Sequence, residues 1–578
     1  MENFKITFSV NLSWNTKVYE NMGIIIGTKG RKIAYFSMEI GLKKEIPTYS
    51  GGLGILAGDT IRASADLGLP LVAVTLINKR GYFRQKLDSL GRQSEHPQEW
   101  SPSDHMQLLD AEATVQIENR NVKIKAWLYE HQSLTEETIP VLFLDTDVEG
   151  NSLEDKQITY SLYGGDRKYR FKQEIILGIG GVRMLKELGY SITKYHMNEG
   201  HSSLLALELL NQNNMDSAKV KELCVFTTHT PIESGHDVFP YELVLELMGN
   251  GSDFDILKKY GGETELNMTV LGMNLSDYVN GVAKRHREIS EKMFPGYKFY
   301  SITNGVHSHT WVCPHFRKLY DKYLPGWANE PELLVRVRSI PDNEVWDAHQ
   351  LAKKELIDHV NNECNLDMDC DTLTIGFARR ITEYKRPTLI FSDLNRLRKV
   401  NEAGRIQLIF AGKAHPRDVQ GKMFIERIFE YAKELKTEIK IAYLENYNMD
   451  LSLKIISGVD IWLNNPKKPL EASGTSGMKA AHNGVVNFSV LDGWWIEGCV
   501  EGVTGYSIGP KPEVDKSPEQ VEMMELDDLY NKLEYIMIPK YYYRKDEWIN
   551  LMNNSIEMIA YYFNSHRMMH RYVTEAYL

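Results

Sequence analysis

Cysteine is scarce: Cys224, Cys313, Cys364, Cys370 and Cys499 are the five in 578 residues. No two are spaced Cys-x-x-Cys, which excludes a disulfide framework and a thiolate zinc site and suits a reducing compartment, the cytoplasm. Long apolar runs are also missing. Stretches such as LPLVAVTLI fall well short of the roughly 20 residues that cross a bilayer. The first thirty residues contain ITFSVNL and MGIIIG, but no basic start, continuous apolar core and small-residue cleavage site, so no signal peptide is expected. Nor is there a basic excess, because 67 Lys and Arg stand against 78 Asp and Glu, a net charge of −11. That argues against sequence-independent nucleic-acid binding and means that any anionic ligand must be met by a local basic cluster. Repeats and low-complexity tracts are absent as well.

At 578 residues the chain is too long for one core and calls for two large domains or more. The stretch around which it is organised is EASGTSGMKAAHNG, Glu471 to Gly484. An apolar strand, IWLN, precedes it and a helix start follows. Strand, small-residue loop and helix in that order are how α/β folds build ligand sites at the carboxyl ends of strands. Ser473, Gly474, Thr475, Ser476 and Gly477 can bring backbone N–H groups and hydroxyls close to an anion, since no bulky side chain intervenes. Lys479 follows, where its amine could pair with a phosphate or form a Schiff base with an aldehyde cofactor.

A second cradle of this kind lies near the start. IAYFSM reads as a strand, SGGLGILAGD as a loop of small residues, and TIRASADLG as an amphipathic helix. LPLVAVTLI, KIKAWLYE and IPVLFLDTD read as strands, followed by a long helix from about Lys168 to Leu188. KYHMNEGHSS and LCVFTTHTPIESGH each run from a strand into a polar loop. The second of these loops holds His229, Glu233 and His236, which lack His-Glu-x-x-His spacing and are read as hydrogen-bonding groups, with no metal site. Composition shifts to Pro, Gly and Asn around Leu324 to Asp342, where we place the domain boundary. Beyond it TLTIGFA, RIQLIFAG, IKIAYLEN and IWLN alternate with helices, PTLIFSDLNRLRKV among them, a rhythm that predicts a parallel sheet.

Directly after TLTIGFA comes RRITEYKRP, with Arg379, Arg380, Lys385 and Arg386 within eight residues. Four cations at a strand's carboxyl end repel one another unless anions bind there. Together with the two small-residue turns and Lys479, they suggest two phosphates sharing one cleft.

The motifs EASGTSGMK, RRITEYKR, SGGLG, TTHTP, ITNG and ENYNMDLSLK, spread over nearly the whole chain from Lys32, resemble the α-glucan phosphorylases of the short bacterial and archaeal branch. The resemblance implies an α/β glycosyltransferase-B fold, with two Rossmann-like domains facing a central cleft. The expected division is an N-terminal extension over 1–31, a glucan and phosphate domain over 32–342, and a cofactor domain over 343–545. A terminal helix over 546–578 is expected to pack back on the first domain. The implied cofactor is pyridoxal 5'-phosphate, held as a Schiff base and acting through its phosphate and not its ring. The implied reaction is attack of orthophosphate on a terminal α-1,4-glucosyl unit of a glucan or maltooligosaccharide, giving α-glucose 1-phosphate with retention.

Carried over motif by motif, Lys479 resembles the Schiff-base lysine, and Arg379, Thr475 and Ser476 would surround the cofactor phosphate. Tyr35, Tyr447 and Lys454 would contact the cofactor. Arg380 and Lys385 would hold the substrate phosphate with the backbone N–H of Gly52. Glu471, Gly474, Tyr384, His229 and Asn304 would bind the glucosyl hydroxyls, with Asp166 at the short join LYGGDRKYRFKQE that stands in place of the family's longer cleft loop. Arg379, Thr382 and Asn448 depart from the Lys, His and Arg usual in the family. With no regulatory region recognisable ahead of the first strand, control by nucleotides or phosphorylation is not expected. A homodimer, common in the family, is implied by analogy. Two other readings compete: a glucan synthase of the same fold using a nucleotide sugar, which has no need of an aldehyde-trapping Lys479, and a non-catalytic glucan-binding protein, which would leave the phosphate cluster unexplained.

Overall fold

A computed structural model describes residues 30–249, 251–512 and 515–578; nearly all of the expected N-terminal extension lies outside them. The chain is α/β and builds two large sheets. Strands β1 (Ile33–Phe36), β2 (Leu71–Leu76), β5 (Gln107–Ile117), β6 (Arg120–Gln132), β7 (Thr138–Asp145), β8 (Lys194–Asn198), β9 (Cys224–Thr228), β10 (Tyr278–Gly281) and β11 (Tyr300–Ser301) form the first. Its order is β11-β10-β9-β8-β1-β2-β7-β6-β5, parallel except where β6 pairs with β5 and β7. Between β2 and β5 a separate antiparallel hairpin projects, β3 (Arg84–Leu87) and β4 (Gln93–His96).

The second sheet is wholly parallel: β12 (Leu373–Ala378), β13 (Ile406–Ala411), β14 (Lys440–Leu444), β15 (Ile461–Asn464), β16 (Val486–Val490) and β17 (Gly505–Ile508), in the order β14-β13-β12-β15-β16-β17. LTIGFA, IQLIFA and IWLN are buried at every position, the pattern of strands covered on both faces. No helix among the described residues is long and apolar enough to cross a membrane.

Several sequence expectations change. SGGLGILAGD is not a loop, because helix α1 runs from Gly52 to Asp66. Its glycines serve packing: a Cβ on Gly58 would lie 2.0 Å from the carbonyl oxygen of Gly41, and one on Gly54 would lie 2.7 Å from the Glu39 carboxylate. The predicted helix over PTLIFSDLNRLRKV is broken. A short turn covers Leu389–Phe391, and α4 (Leu394–Ala403), the next helix after α2 (Arg167–Ile175) and α3 (Asp342–Cys364), starts where the Asp393 side chain accepts from the Arg396 N–H. Strand β5 carried no clear signal, since its outer half is largely exposed.

Val312, Phe316, Tyr320, Trp327 and Leu334 pack in one cluster with Leu373, Phe377 and Leu408 of the second sheet. The segment ahead of α3 therefore packs with that sheet. The C-terminal segment also differs from expectation. Its first part, with Trp548, Leu551, Met552 and Ile556, packs on the second sheet. Its last part, with Met568, Met569, Tyr572, Val573, Ala576 and Tyr577, packs on the first, against Ile33, Tyr35 and Leu71.

Candidate active site

Each sheet reverses its order at its first strand: β1 lies between β2 and β8, and β12 between β13 and β15. The crevice at the carboxyl ends of such strands is where open α/β sheets bind ligands. Here the two crevices meet in one cleft of about 760 Å³. From the first sheet it receives Gly51 and Gly52 at the start of α1, Asp166, His229 and Asn304. From the second it receives Arg379, Arg380, Tyr384 and Lys385 after β12, and Glu471 to Ser476 with Lys479 after β15.

Lys479 sits on α7 (Ser476–Ala481), which follows α5 (Val419–Glu434) and α6 (Met449–Gly458) along the chain. Its side chain is buried, with Nζ 3.6 Å from the centroid of the Trp311 ring. Burial pushes the amine down to about 8, with Asp59 opposing the shift and Arg62 adding to it. A lysine in this state supplies a free amine near neutral pH. Trp311 is itself fixed, since its N–H donates to both carboxylate oxygens of Asp59 at 2.8 and 3.0 Å.

Ahead of Lys479, the amide N–H groups of Ala472, Ser473, Gly474, Thr475, Ser476 and Gly477 have no protein acceptor among the described residues. Gly474 has φ +77, which a side chain would strain. Ser476 Oγ accepts from the Trp462 indole N–H at 3.0 Å, so its hydroxyl proton remains free. Arg379 points here, and its buried Nε and Nη1 have no partner. Six open N–H groups, two orphaned guanidinium nitrogens and a nearby free amine fit the phosphate and aldehyde of pyridoxal phosphate.

Glu471 joins the halves of the site. Its carboxylate takes Arg379 Nη2 at 3.1 Å and pairs closely with Lys385. Burial would raise its pKa, but the Lys385 and Arg379 charges outweigh burial and hold it below the usual value. Lys385 also lies 4.4 Å from the Tyr384 ring centroid. Arg380 reaches toward α1, where a Cβ on Gly51 would stand 3.2 Å from its guanidinium; a Cβ on Gly52 would touch nothing within 4 Å. Arg386, the fourth cation of the cluster, turns away to pair with Glu525 at 2.7 Å.

Opposite, His229 bonds through Nε2 to Asn198 Oδ1 at 2.7 Å, and its own amide donates to Glu199 at 2.6 Å. Burial holds the imidazole neutral, its pKa well below the ordinary value, so it serves as a hydrogen-bonding group. Asn304 presents a buried Oδ1 without a partner. Asp166 caps α2 by accepting from Tyr169 N at 2.9 Å and stands at the rim. Tyr447 lines the cleft, its hydroxyl bonded to Ser452 at 2.8 Å. Asn448, where the family's Arg is expected, caps α6 by accepting from Leu451 N.

Two expected contacts fall elsewhere. Tyr35 is a mid-strand residue of β1 whose ring packs edge-on against His196 at 5.0 Å, in the core beneath Tyr572 and Tyr577. It does not reach the cleft, because only residues beyond a strand's carboxyl end do. Lys454 lies on α6 two residues past the cleft-facing Ser452, about 200° around the helix. It lines a separate outer groove with His359 and Glu363. Conversely, Trp311, Asp59, Glu39 and Asp492 contribute to the site without any motif to mark them. Glu39 accepts from the backbone N–H groups of Ser50 and Gly51 and from the Tyr163 hydroxyl. His236 bonds through Nδ1 to Thr269 Oγ1 at 2.8 Å. A different cluster forms behind α1, where Asp66 Oδ2 accepts from His307 at 2.6 Å and His566 at 2.9 Å, tying the terminal segment to the helix.

The chain is similar to known proteins over most of its length. The family model for carbohydrate phosphorylases matches residues 196–505. A maltodextrin phosphorylase of Thermococcus litoralis is 39% identical over 590 residues, spanning 94% of this chain and 70% of the relative. A glycogen phosphorylase of Aquifex aeolicus is 36% identical, spanning 95% and 86%, and one of Mycobacterium tuberculosis is 33% identical, spanning 94% and 70%. The chain belongs to the carbohydrate phosphorylase family.

Proposed function

We propose that the chain is an α-1,4-glucan phosphorylase that uses pyridoxal phosphate, with a glycosyltransferase-B arrangement of two Rossmann-like domains around the cleft. The observation that carries this reading is the convergence of the buried Lys479 amine with Arg379, Arg380 and Lys385 in one cleft of an acidic protein. A nucleotide-sugar synthase has no use for such an amine, and a passive glucan binder has no use for the cations. Maltooligosaccharide and orthophosphate are the substrates and α-glucose 1-phosphate the product. The cytoplasm is the site of action, and a homodimer is the expected assembly.

Arg379, Thr475, Ser476 and the open N–H groups before Lys479 would hold the cofactor phosphate, and Lys479 its aldehyde end. When bound, the cofactor supplies a phosphate whose second ionisation lies near neutrality, a proton donor and acceptor beside the substrate phosphate. Arg380 and Lys385, with the N–H of Gly52, bind orthophosphate. Two phosphates this close repel by about 4 kcal/mol for each pair of unit charges at 4 Å and an effective dielectric near 20. Arg379, Arg380 and Lys385 offset that repulsion and favour the charge that develops in the transition state. Glu471, Gly474, Tyr384, His229 and Asn304 orient the terminal glucosyl unit. The glycosidic C1–O bond breaks, its oxygen takes the proton of orthophosphate, and a phosphate oxygen bonds to C1. The products are α-glucose 1-phosphate and a glucan one unit shorter.

Glu471 pairs with both Lys385 and Arg379. Incoming phosphate draws these cations away and leaves the carboxylate to the sugar hydroxyls. Release of glucose 1-phosphate from a maltooligosaccharide, with and without orthophosphate and with the cofactor supplied, tests the reading. Phosphate-dependent release supports it; release independent of phosphate, or none from cofactor-loaded protein, refutes it.

A further inference from the structure

The loop that carries Glu471 has no regular structure between β15 and α7, yet it holds the Glu471 carboxylate against Arg379 and Lys385. Its first part is held by Arg386, which donates to Asn465 O at 2.8 Å and Pro466 O at 3.1 Å, and by Lys468, which donates to Pro510 O at 2.7 Å. Lys467 N donates to Tyr384 O at 2.7 Å and Leu470 N to Lys467 O at 2.9 Å. Further on, Ser473 O accepts from Trp494 N at 3.0 Å. Between these anchors, the contact made by the Glu471 backbone itself is its N–H donation to Asp492 Oδ2 at 2.9 Å.

Asp492 opens the turn Asp492–Gly493–Trp494 after β16, and its residue is 3% exposed. That turn is shaped to the loop. Gly493 has φ +54, and a Cβ there would lie 2.4 Å from Ser473 O; a Cβ on Gly477 would lie 2.8 Å from the Trp494 ring. Burial pushes the Asp492 carboxyl up to about 7, with the Glu471 and Gly493 N–H groups opposing. Ionised or not, the group presents an acceptor oxygen to Glu471. Buried carboxyls are kept at such a site when the hydrogen bond they accept is needed.

We propose that Asp492 is a positioning residue, which through the Glu471 N–H holds the Glu471 carboxylate at the junction of the sugar and phosphate subsites. Asp492 touches neither ligand and acts through Glu471 alone. The proposal rests on the phosphorylase reading for the role of Glu471, and on the geometry above for the role of Asp492.

The test uses full-length, cofactor-loaded protein carrying Asp492→Ala, Asp492→Asn, Glu471→Gln and the Asp492→Ala/Glu471→Gln pair. Asp492→Ala is expected to lower kcat/KM for α-glucose 1-phosphate by about 30-fold, the size of one hydrogen bond to a charged group. Cofactor content stays unchanged. Asp492→Asn, which keeps an acceptor oxygen, stays within about fivefold of the parent. The double variant is no worse than Glu471→Gln alone, as expected when one residue acts through the other. Calorimetric binding of glucose to the same proteins gives the same ranking without turnover, and so tests Asp492 even if the parent proves not to be a phosphorylase. A parent-like kcat/KM and glucose affinity in Asp492→Ala, equal losses in Asn and Ala, or losses that multiply in the double variant would overturn the proposal. If Asp492→Ala does not fold, Asp492→Ser takes its place: its shorter side chain cannot reach the Glu471 N–H as Asn does, so it is expected to lose more than Asp492→Asn, and a parent-like Ser variant would overturn the proposal.

Discussion

The ammonium nitrogen of Lys479 lies 3.6 Å from the centroid of the Trp311 indole ring, and the N–H of that indole is committed to Asp59. An aromatic face is a partner that a lysine can leave, since it offers attraction without the strong directional bond of a carboxylate. With burial setting the amine at about 8, roughly a tenth of the molecules carry a neutral amine at pH 7 and half at pH 8. Uptake of pyridoxal phosphate by cofactor-free protein should therefore speed up several-fold from pH 7 to pH 8 and level off above pH 9. Stopped-flow absorbance measures this, and a pH-independent rate would contradict it.

Glu471→Gln removes the carboxylate that pairs with Lys385 and Arg379. Orthophosphate then has no internal competitor, so its KM should fall severalfold while kcat drops by about 100-fold, as the sugar loses a charged partner. Initial-rate kinetics with phosphate varied at saturating glucan separate the two. A raised phosphate KM would mean that Glu471 does not compete for these cations.

Asp66 lies between two imidazoles. Burial would raise its pKa, and the hydrogen bonds from His307 and His566 reverse this to hold it well below the usual range. A depressed carboxyl contributes stability above its unfolded pKa and loses it as pH falls through the folded value. His307 is lowered by burial, with Asp66 opposing; kept neutral when folded, it costs stability as pH drops below about 6.5. The thermal midpoint should thus be flat from pH 8 to 7 and decline below 6.5. Asp66→Asn should lower it by about 2–4 °C at pH 7.5. Calorimetry across that range tests both.

Two glycines of one helix should respond in opposite ways. Gly58→Ala drives a methyl group to 2.0 Å from Gly41 O and should destabilise by more than about 3 kcal/mol or prevent folding. Gly52→Ala meets no atom within 4 Å and should melt like the parent, yet lose phosphate affinity by narrowing the approach to its N–H. Thermal melts and phosphate KM for the two variants give the comparison.

The strands of the second sheet could be read directly, because IQLIFA, IAYL and IWLN are short apolar runs bounded by Gly, Asn or charge. The cations and the small-residue loop of the cleft were equally legible, since RRITEYKR and SGTSGMK each sit within a few residues at a strand end. What the sequence concealed depends on tertiary packing. Gly52, Gly54 and Gly58 look like a loop until Gly41 and Glu39 are seen packed against the helix they form. Tyr35 and Lys454 lie close in sequence to site residues, but strand alternation and helix rotation turn them away. Trp311 and Asp492 act on Lys479 and Glu471 from far along the chain, and nothing local distinguishes them.

The crossing of the C-terminal segment bears on how the protein is made. Ile33, Tyr35 and Leu71 emerge early from the ribosome, but the face they form is covered by Met568, Tyr572 and Tyr577, and His196 bonds to the Tyr577 hydroxyl. Throughout synthesis of the second sheet, the first therefore carries an apolar surface awaiting residues still to be translated. A chain that stalls or is cut before Ser565 leaves that surface open to chaperones, proteases and other nascent chains.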